Sequence, residues 1–502
     1  MSKLNRIYFA AFFFFACLLF FPLNILAETI EATVKITTLA PSTIEVRGRN
    51  ISADVRQKER NFSFLQNYAG IENLAERISQ VALFDERASK IDYRKLSSGE
   101  YLAESNFSEW SYQINAAAPK NESAKAHVSF IDGEQGILML GDLLPINVVE
   151  NNNRETLKIT FELPSDWKIV SNEKKISERV FEIADVEKAV FYIGKNWREK
   201  EIDISGDQVK FLIFGERQFS DAEAFAMAEE IYAFYKNLFG AEPNQKALIY
   251  LSKFSSAQSH GRWEAETRGS NVTIFSAEMP FKTQSLQRLH EQLRHEIFHL
   301  WMPSRLNFSG NYDWFYEGFA LYQSLRVGVT VNRLRFEDFL DTLARAHTID
   351  NLQSRKISLI EASKNRWNGA NTQIYARGML VAFLCDALIL QKSKGKNSLS
   401  DVFREIYQKH KLPAPRQDGN TAILQILESR EELRPITENY VKNARAIDWR
   451  TTLETIGIES VEENFQTKLK AKEKPNGRQK DLLDRLGYNN WRKLRKVQNE
   501  NQ

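Results

Sequence analysis

A chain of 502 residues, with 43% hydrophobic and 26% charged side chains, has an ordinary globular composition and is too long for one core, so two or three domains are expected. The formal net charge of +3 is too small to argue for nucleic acid, and no nucleic-acid partner is expected.

The first 27 residues differ from the rest. Lys3 and Arg6 precede an apolar run from Ile7 to Phe21, followed by Pro22 and a cut site after Ala27, which is the layout of a secretory signal. An uncleaved membrane anchor is the alternative, because the run is long and Ile25 is an imperfect residue at the minus-three position. The chain is therefore expected to be exported, periplasmic or secreted, or else held on a membrane by this segment. Cys17 lies inside the apolar run, so removal of the signal leaves Cys385 alone and no internal disulfide can form.

From 28 to 206 the apolar residues recur mostly at every second position, as in Ile30-Ala32-Val34-Ile36 and Leu157-Ile159-Phe161-Leu163, with a further run Val190 to Ile193. This predicts an N-terminal β-rich domain, interrupted by a helical piece around Gly70 to Leu83, with no cluster of metal-ligand spacing. From 207 to 332 strands alternate with helices: strand Val209 to Phe214, helix Asp221 to Phe239, strands Ala247 to Leu251 and Val272 to Phe275, then two motif helices. From 333 to 502 the pattern reads as helical to the end, with helices near 334–346, 374–391, 398–409, 436–443 and 480–497. The last segment is basic, which suits a solvated helix face, with an acidic membrane surface as the lesser reading.

The chemistry is carried by His295-Glu296-Ile297-Phe298-His299 and by Glu317, eighteen positions after His299. Leu286, Leu289, Leu293, Ile297 and Leu300 recur at helical steps and Pro303 stops the pattern, so the two histidines fall one turn apart on a single helix face. They can close on one ion while Glu296 points beside it toward water, and Glu317 from the aromatic stretch Trp314 to Tyr322 completes a His2Glu set that leaves one position open. One Zn2+ per chain is expected, with His295, His299 and Glu317 as metal ligands and Glu296 as general base.

These residues resemble the gluzincin metallopeptidases, which include the aminopeptidase N family and the glycyl aminopeptidase family. The second is the nearer match, through His295 to Trp301, Trp314 to Tyr322, Ile374-Tyr375-Ala376-Arg377-Gly378 and Ser398 to Val402; the likeness spans roughly 125 to 460. It implies an α+β protein with an N-terminal β-rich domain, a thermolysin-like zinc peptidase catalytic domain and a helical C-terminal part that completes the active site. It also implies that the Tyr375 hydroxyl supports the tetrahedral intermediate, and that Glu264, in Gly261-Arg262-Trp263-Glu264-Ala265, binds the substrate's free amine. Ala265 departs from the family pattern there, and Glu266 is a rival carboxylate. The expected function is an exported zinc-dependent aminopeptidase acting on peptides. The alternatives are a zinc endopeptidase on the same site, against which Leu321 counts because thermolysin-type enzymes carry an acid there, and a peptide-binding protein whose catalysis has lapsed.

Overall fold

The computed structural model describes residues 28–50, 60–150, 155–204, 206–240, 246–254 and 261–490, so the expected signal segment and the basic chain end beyond 490 lie outside the described residues. The architecture is α+β, with three larger stacked sheets, three smaller sheets of two or three strands among the described residues, and a mainly helical C-terminal part.

The first sheet has eight strands, built around Glu28–Leu39, which pairs antiparallel with Ser42–Asn50 and parallel with Glu155–Glu162. The period-two pattern decides which face is inside: Ile30, Ala32 and Val34 on one strand and Ile44 and Val46 on the next are all buried, with Val34 directly opposite Val46. A second sheet of four strands includes Gln135–Met139 and Val190–Gly194, whose residues are all buried. Leu138, Phe191 and Ile193 pack toward the first sheet, whereas Ile137, Met139, Val190 and Tyr192 pack on Leu248, Tyr250 and Phe275 of the third. A strand covered on both faces needs apolar residues at every position, which is why the run Val190 to Ile193 does not alternate.

The third sheet runs in the order Trp197–Ile204, Asp207–Phe214, Lys246–Lys253, Asn271–Ser276, Trp263–Arg268. Trp197–Ile204 pairs along its whole length with Asp207–Phe214, so this sheet begins about ten residues before the domain boundary expected at 206, which falls inside a hairpin. At the other edge, Trp263–Arg268 pairs with Asn271–Ser276 and, among the described residues, with no other strand.

Two further expectations are corrected. The piece Gly70 to Leu83 is a single helical turn, Leu74–Arg77, that leads directly into strand Ile78–Phe84. The C-terminal part is not helical throughout: Ile458–Glu463 and Gln466–Ala471 form a hairpin. Asn464 and Phe465 take φ of 51° and 62°, the backbone of a tight hairpin turn, and Thr467 and Leu469 alternate inward on the return strand. The expected helix 436–443 is a π-helical turn, Thr437–Lys442, and that expected at 480–497 runs Gly477–Leu486 within the described residues.

The helix Lys282–His299 buries Leu289, Leu293 and Ile297, with Asp221–Phe239 behind it. Asn371–Lys392 has hydropathy enough to cross a membrane, but most of its surface is covered by the protein, which makes it the central core helix. It meets the π-helical turn Trp314–Phe319 through two glycines. A Cβ on Gly318 would lie 2.6 Å from Gly378 Cα and 2.7 Å from the Ile374 carbonyl, and one on Gly378 would lie 2.9 Å from Gly318 Cα. Neither glycine is there for an unusual φ; each is there for space. Gly378→Ala is therefore expected to cost about 1–3 kcal/mol or more by overpacking two backbones that cannot rotate away. Chemical denaturation of the variant would check this, and an unchanged midpoint would refute it.

Candidate metal centre and active site

Because His295 and His299 are one turn apart, their rings meet edge to face with centroids 4.5 Å apart. Their Nε2 atoms are 3.0 Å apart. Glu317 Oε2, brought in by the π-helical turn, lies 3.1 Å from His295 Nε2 and 3.7 Å from His299 Nε2. Around an ion at the usual 2.0–2.1 Å, tetrahedral donors sit about 3.3 Å from one another, so these three atoms mark three corners of a zinc-sized tetrahedron. The tautomers agree: His299 Nδ1–H donates to the Met302 carbonyl at 2.8 Å, which leaves the Nε2 lone pair facing the other donors. His295 Nδ1 is buried and has no hydrogen-bond partner among the described residues.

Glu296 is buried beside this group, with Oε2 2.8 Å from the Thr267 hydroxyl on the edge strand. Burial raises its pKa, against the pull of the two histidines. Glu317 behaves oppositely. Burial also disfavours its charge, but Arg366 and the two histidines overcome that and hold it well below the usual carboxylate range. The Tyr375 hydroxyl stands 2.9 Å from Glu317 Oε2 and 3.0 Å from Arg366 Nη2. Burial, then the Glu317 charge, keeps this phenol protonated.

The edge strand places Glu264 and Glu266 on one face. Glu266 is fully engaged: it accepts from Tyr68 Oη at 2.5 Å, from Arg268 Nη2 at 3.1 Å, and from His127 Nδ1. Glu264 keeps a third of its side chain exposed and meets His127 Nε2 at 3.3 Å through one oxygen. Both ring nitrogens of His127 thus face carboxylates, which only accept, so the ring is an imidazolium. Burial opposes that charge, but Glu266 and Glu264 push the pKa up to about 9. Arg268 and His127, working against burial, hold Glu266 at about 2.

All six site residues read from the sequence, His295, Glu296, His299, Glu317, Tyr375 and Glu264, line one cavity of about 790 Å³. Sequence reasoning missed His127, Thr267, Arg366, Asp313 and Tyr68. His127 and Tyr68 belong to the β-rich domain, 139 and 198 residues from Glu266, and no local pattern announces so distant a contact.

No family model matches the chain, and no match was found among curated proteins. Solved structures do match in shape. An aminopeptidase N family protein from Idiomarina loihiensis superposes with a TM-score of 0.70 at 14% identity, over 86% of this chain and 79% of that one. The chain has the aminopeptidase N fold. A mutant of a two-domain M1 zinc metallopeptidase, bound to L-tryptophan, superposes with a TM-score of 0.51 at 11% identity, over 84% of this chain and 95% of that one. The aminopeptidase N fold is what the sequence resemblance to gluzincins implies, and at such low identity the likeness speaks to fold, so the chemistry must be argued from the side chains.

The His127 cluster ties the two domains, and its stability should depend on pH. The folded pKa of about 9 lies above the unfolded value of about 6.5, so the stabilisation is complete below about 6.5 and is lost as pH rises through about 9. The thermal midpoint of the wild type should fall over that interval, by the equivalent of up to about 3 kcal/mol, and His127→Gln should flatten the fall. Parallel pH profiles for the two proteins would contradict this.

Proposed function

We propose that this chain is a zinc-dependent aminopeptidase, exported to the periplasm or medium or anchored there by its N-terminal segment, with one Zn2+ per chain and peptides as substrate. The observation that carries the reading is the tetrahedral spacing of His295, His299 and Glu317 with Glu296 and Tyr375 on either side. When bound, the ion would polarise the scissile carbonyl and acidify the attacking water.

The chain's own groups do the rest. Glu296, its basicity raised by burial, accepts the water's proton and passes it to the leaving amine. Tyr375, kept protonated, donates to the carbonyl oxygen as negative charge builds there, an effect worth about 3 kcal/mol for one preplaced donor. The edge of Trp263–Arg268, which pairs with no further strand among the described residues, offers backbone groups to an extended peptide. Glu264 is the amine anchor rather than Glu266, because Glu264 keeps 33% of its side chain exposed against 13% for Glu266, whose oxygens are taken by Tyr68, Arg268 and His127. An endopeptidase on the same site is the second reading. It draws on one feature: Glu264 and Glu266 are balanced by His127 and Arg268, so this end of the cleft is not strongly acidic.

Purified protein should hydrolyse amino-acid arylamides, lose that activity to a chelator and regain it with zinc. Glu296→Gln should retain the metal by elemental analysis yet lose nearly all turnover, since an amide cannot accept the proton. Near wild-type turnover in that variant would remove Glu296 from the role of base.

Glu264→Ala should lower kcat/KM on peptides with a free N-terminus by roughly thirty-fold or more, and leave N-acetylated peptides almost unaffected, since only the former make the ion pair. Equal cleavage of the two classes by the wild type would replace the aminopeptidase with the endopeptidase.

A further inference from the structure

The Arg366 side chain, only 12% exposed, reaches into the site from the turn Arg366–Asn368. Its Nη1 forms an ion pair with Glu317 Oε1 at 3.1 Å and donates to Asp313 Oδ1 at 2.9 Å, and its Nη2 donates to the Tyr375 hydroxyl at 3.0 Å. The guanidinium lies over the Trp367 ring, 4.5 Å from its centroid. Asp313 Oδ1 also accepts from the Tyr316 hydroxyl at 2.7 Å, which fixes the carboxylate that holds the arginine. One planar cation therefore joins the third member of the donor triad to the tyrosine proposed to face the oxyanion.

We propose that Arg366 is a positioning residue for catalysis, which sets the direction of the Tyr375 O–H; this rests on the peptidase reading of the site. The phenol oxygen accepts from Arg366 through one lone pair, so its single hydrogen must point elsewhere. It points to Glu317 Oε2, 2.9 Å away, at rest. Rotation about the phenolic C–O bond can turn it into the cleft toward a developing oxyanion while the Arg366 bond is kept. A lysine cannot reproduce this, because an ammonium on a flexible stem lacks the fixed fork that spans two acceptors.

The test uses the zinc-loaded full chain with Arg366→Lys and Arg366→Gln, each alone and combined with Tyr375→Phe. Four quantities are read: kcat and KM on a peptide that the wild type cleaves, bound zinc, thermal midpoint, and affinity for a phosphinic pseudopeptide whose anionic oxygens mimic the tetrahedral intermediate. Arg366→Lys is expected to fold and hold zinc as the wild type does, to lose kcat by about tenfold to a hundredfold, and to change KM by no more than about twofold. Phosphinate affinity should fall with kcat. In the Tyr375→Phe background the same substitution should cost almost nothing, because its effect passes through the hydroxyl. Losses that multiply in the double variant would overturn the proposal, as would wild-type kcat in Arg366→Lys. Should Arg366→Gln fail to fold, the lysine variant carries the same comparison. If Tyr375→Phe alone leaves kcat intact, this proposal falls while the zinc and Glu296 reading stands. A wild type that neither binds zinc nor cleaves peptides removes the reading itself.

Discussion

The candidate site depends on a close approach of two backbones. Gly318 follows Glu317 by one residue and Gly378 follows Tyr375 by three, so the contact between these glycines fixes how far the Glu317 carboxylate stands from the Tyr375 hydroxyl. Side chains in their place would push the segments apart by more than a hydrogen bond tolerates. The third side of the site is held by aromatic packing: the Phe403 ring lies 5.3 Å from Phe298, on the histidine helix, and 5.8 Å from Phe315, in the π-helical turn. The helix that brings the histidines and the turn that brings their acidic partner are therefore pinned by one shared side chain.

Packing brings the groups together, and their surroundings then give them different work. Glu296 and Glu317 are both buried carboxylates near the same two histidines, yet their pKa values move in opposite directions. The largest opposing influence on Glu317 is Arg366, which forms an ion pair with Glu317 and none with Glu296 among the described residues, and hydrogen bonds from the two histidines add to it. A carboxylate held ionised suits a ligand, and one whose proton affinity is raised suits a base, so the arginine separates the two roles on groups of the same chemistry.

The fold class and the principal site were legible because their signals are local. Two histidines one turn apart, a helix with a regular apolar stripe and strands with period-two alternation all declare themselves within a few residues. Tyr375 and Glu264 needed a family resemblance, since an isolated tyrosine or glutamate carries no mark of its role. The C-terminal hairpin was misread as helix because its strands are short and charged, and because Asn464-Phe465 is a turn without the glycine that usually marks one. The domain boundary was misplaced because Trp197–Ile204 has a plain strand pattern, and pattern alone does not say which sheet a strand joins. Arg366 sits on an irregular turn, where no periodicity distinguishes a working arginine from a solvated one.

His127 belongs to the β-rich domain, yet it contacts the two carboxylates of the catalytic edge strand, so the domains share one cleft wall. That arrangement is rigid for a reason found far from the site. The two central strands of the four-stranded sheet, Gln135–Met139 and Val190–Gly194, are buried on both faces, with Tyr192 stacked on Tyr250 at 4.5 Å, so neither domain can slide without exposing apolar surface. The three donor atoms of the candidate metal centre come from the histidine helix and the π-helical turn, whereas the wall of the cavity at Glu264 and Glu266 also carries a side chain from the other domain. The donor spacing is set by a short motif, whereas the contact of His127 with Glu264 and Glu266 is set by packing between segments far apart in sequence, which is why one is easily read from sequence and the other is not.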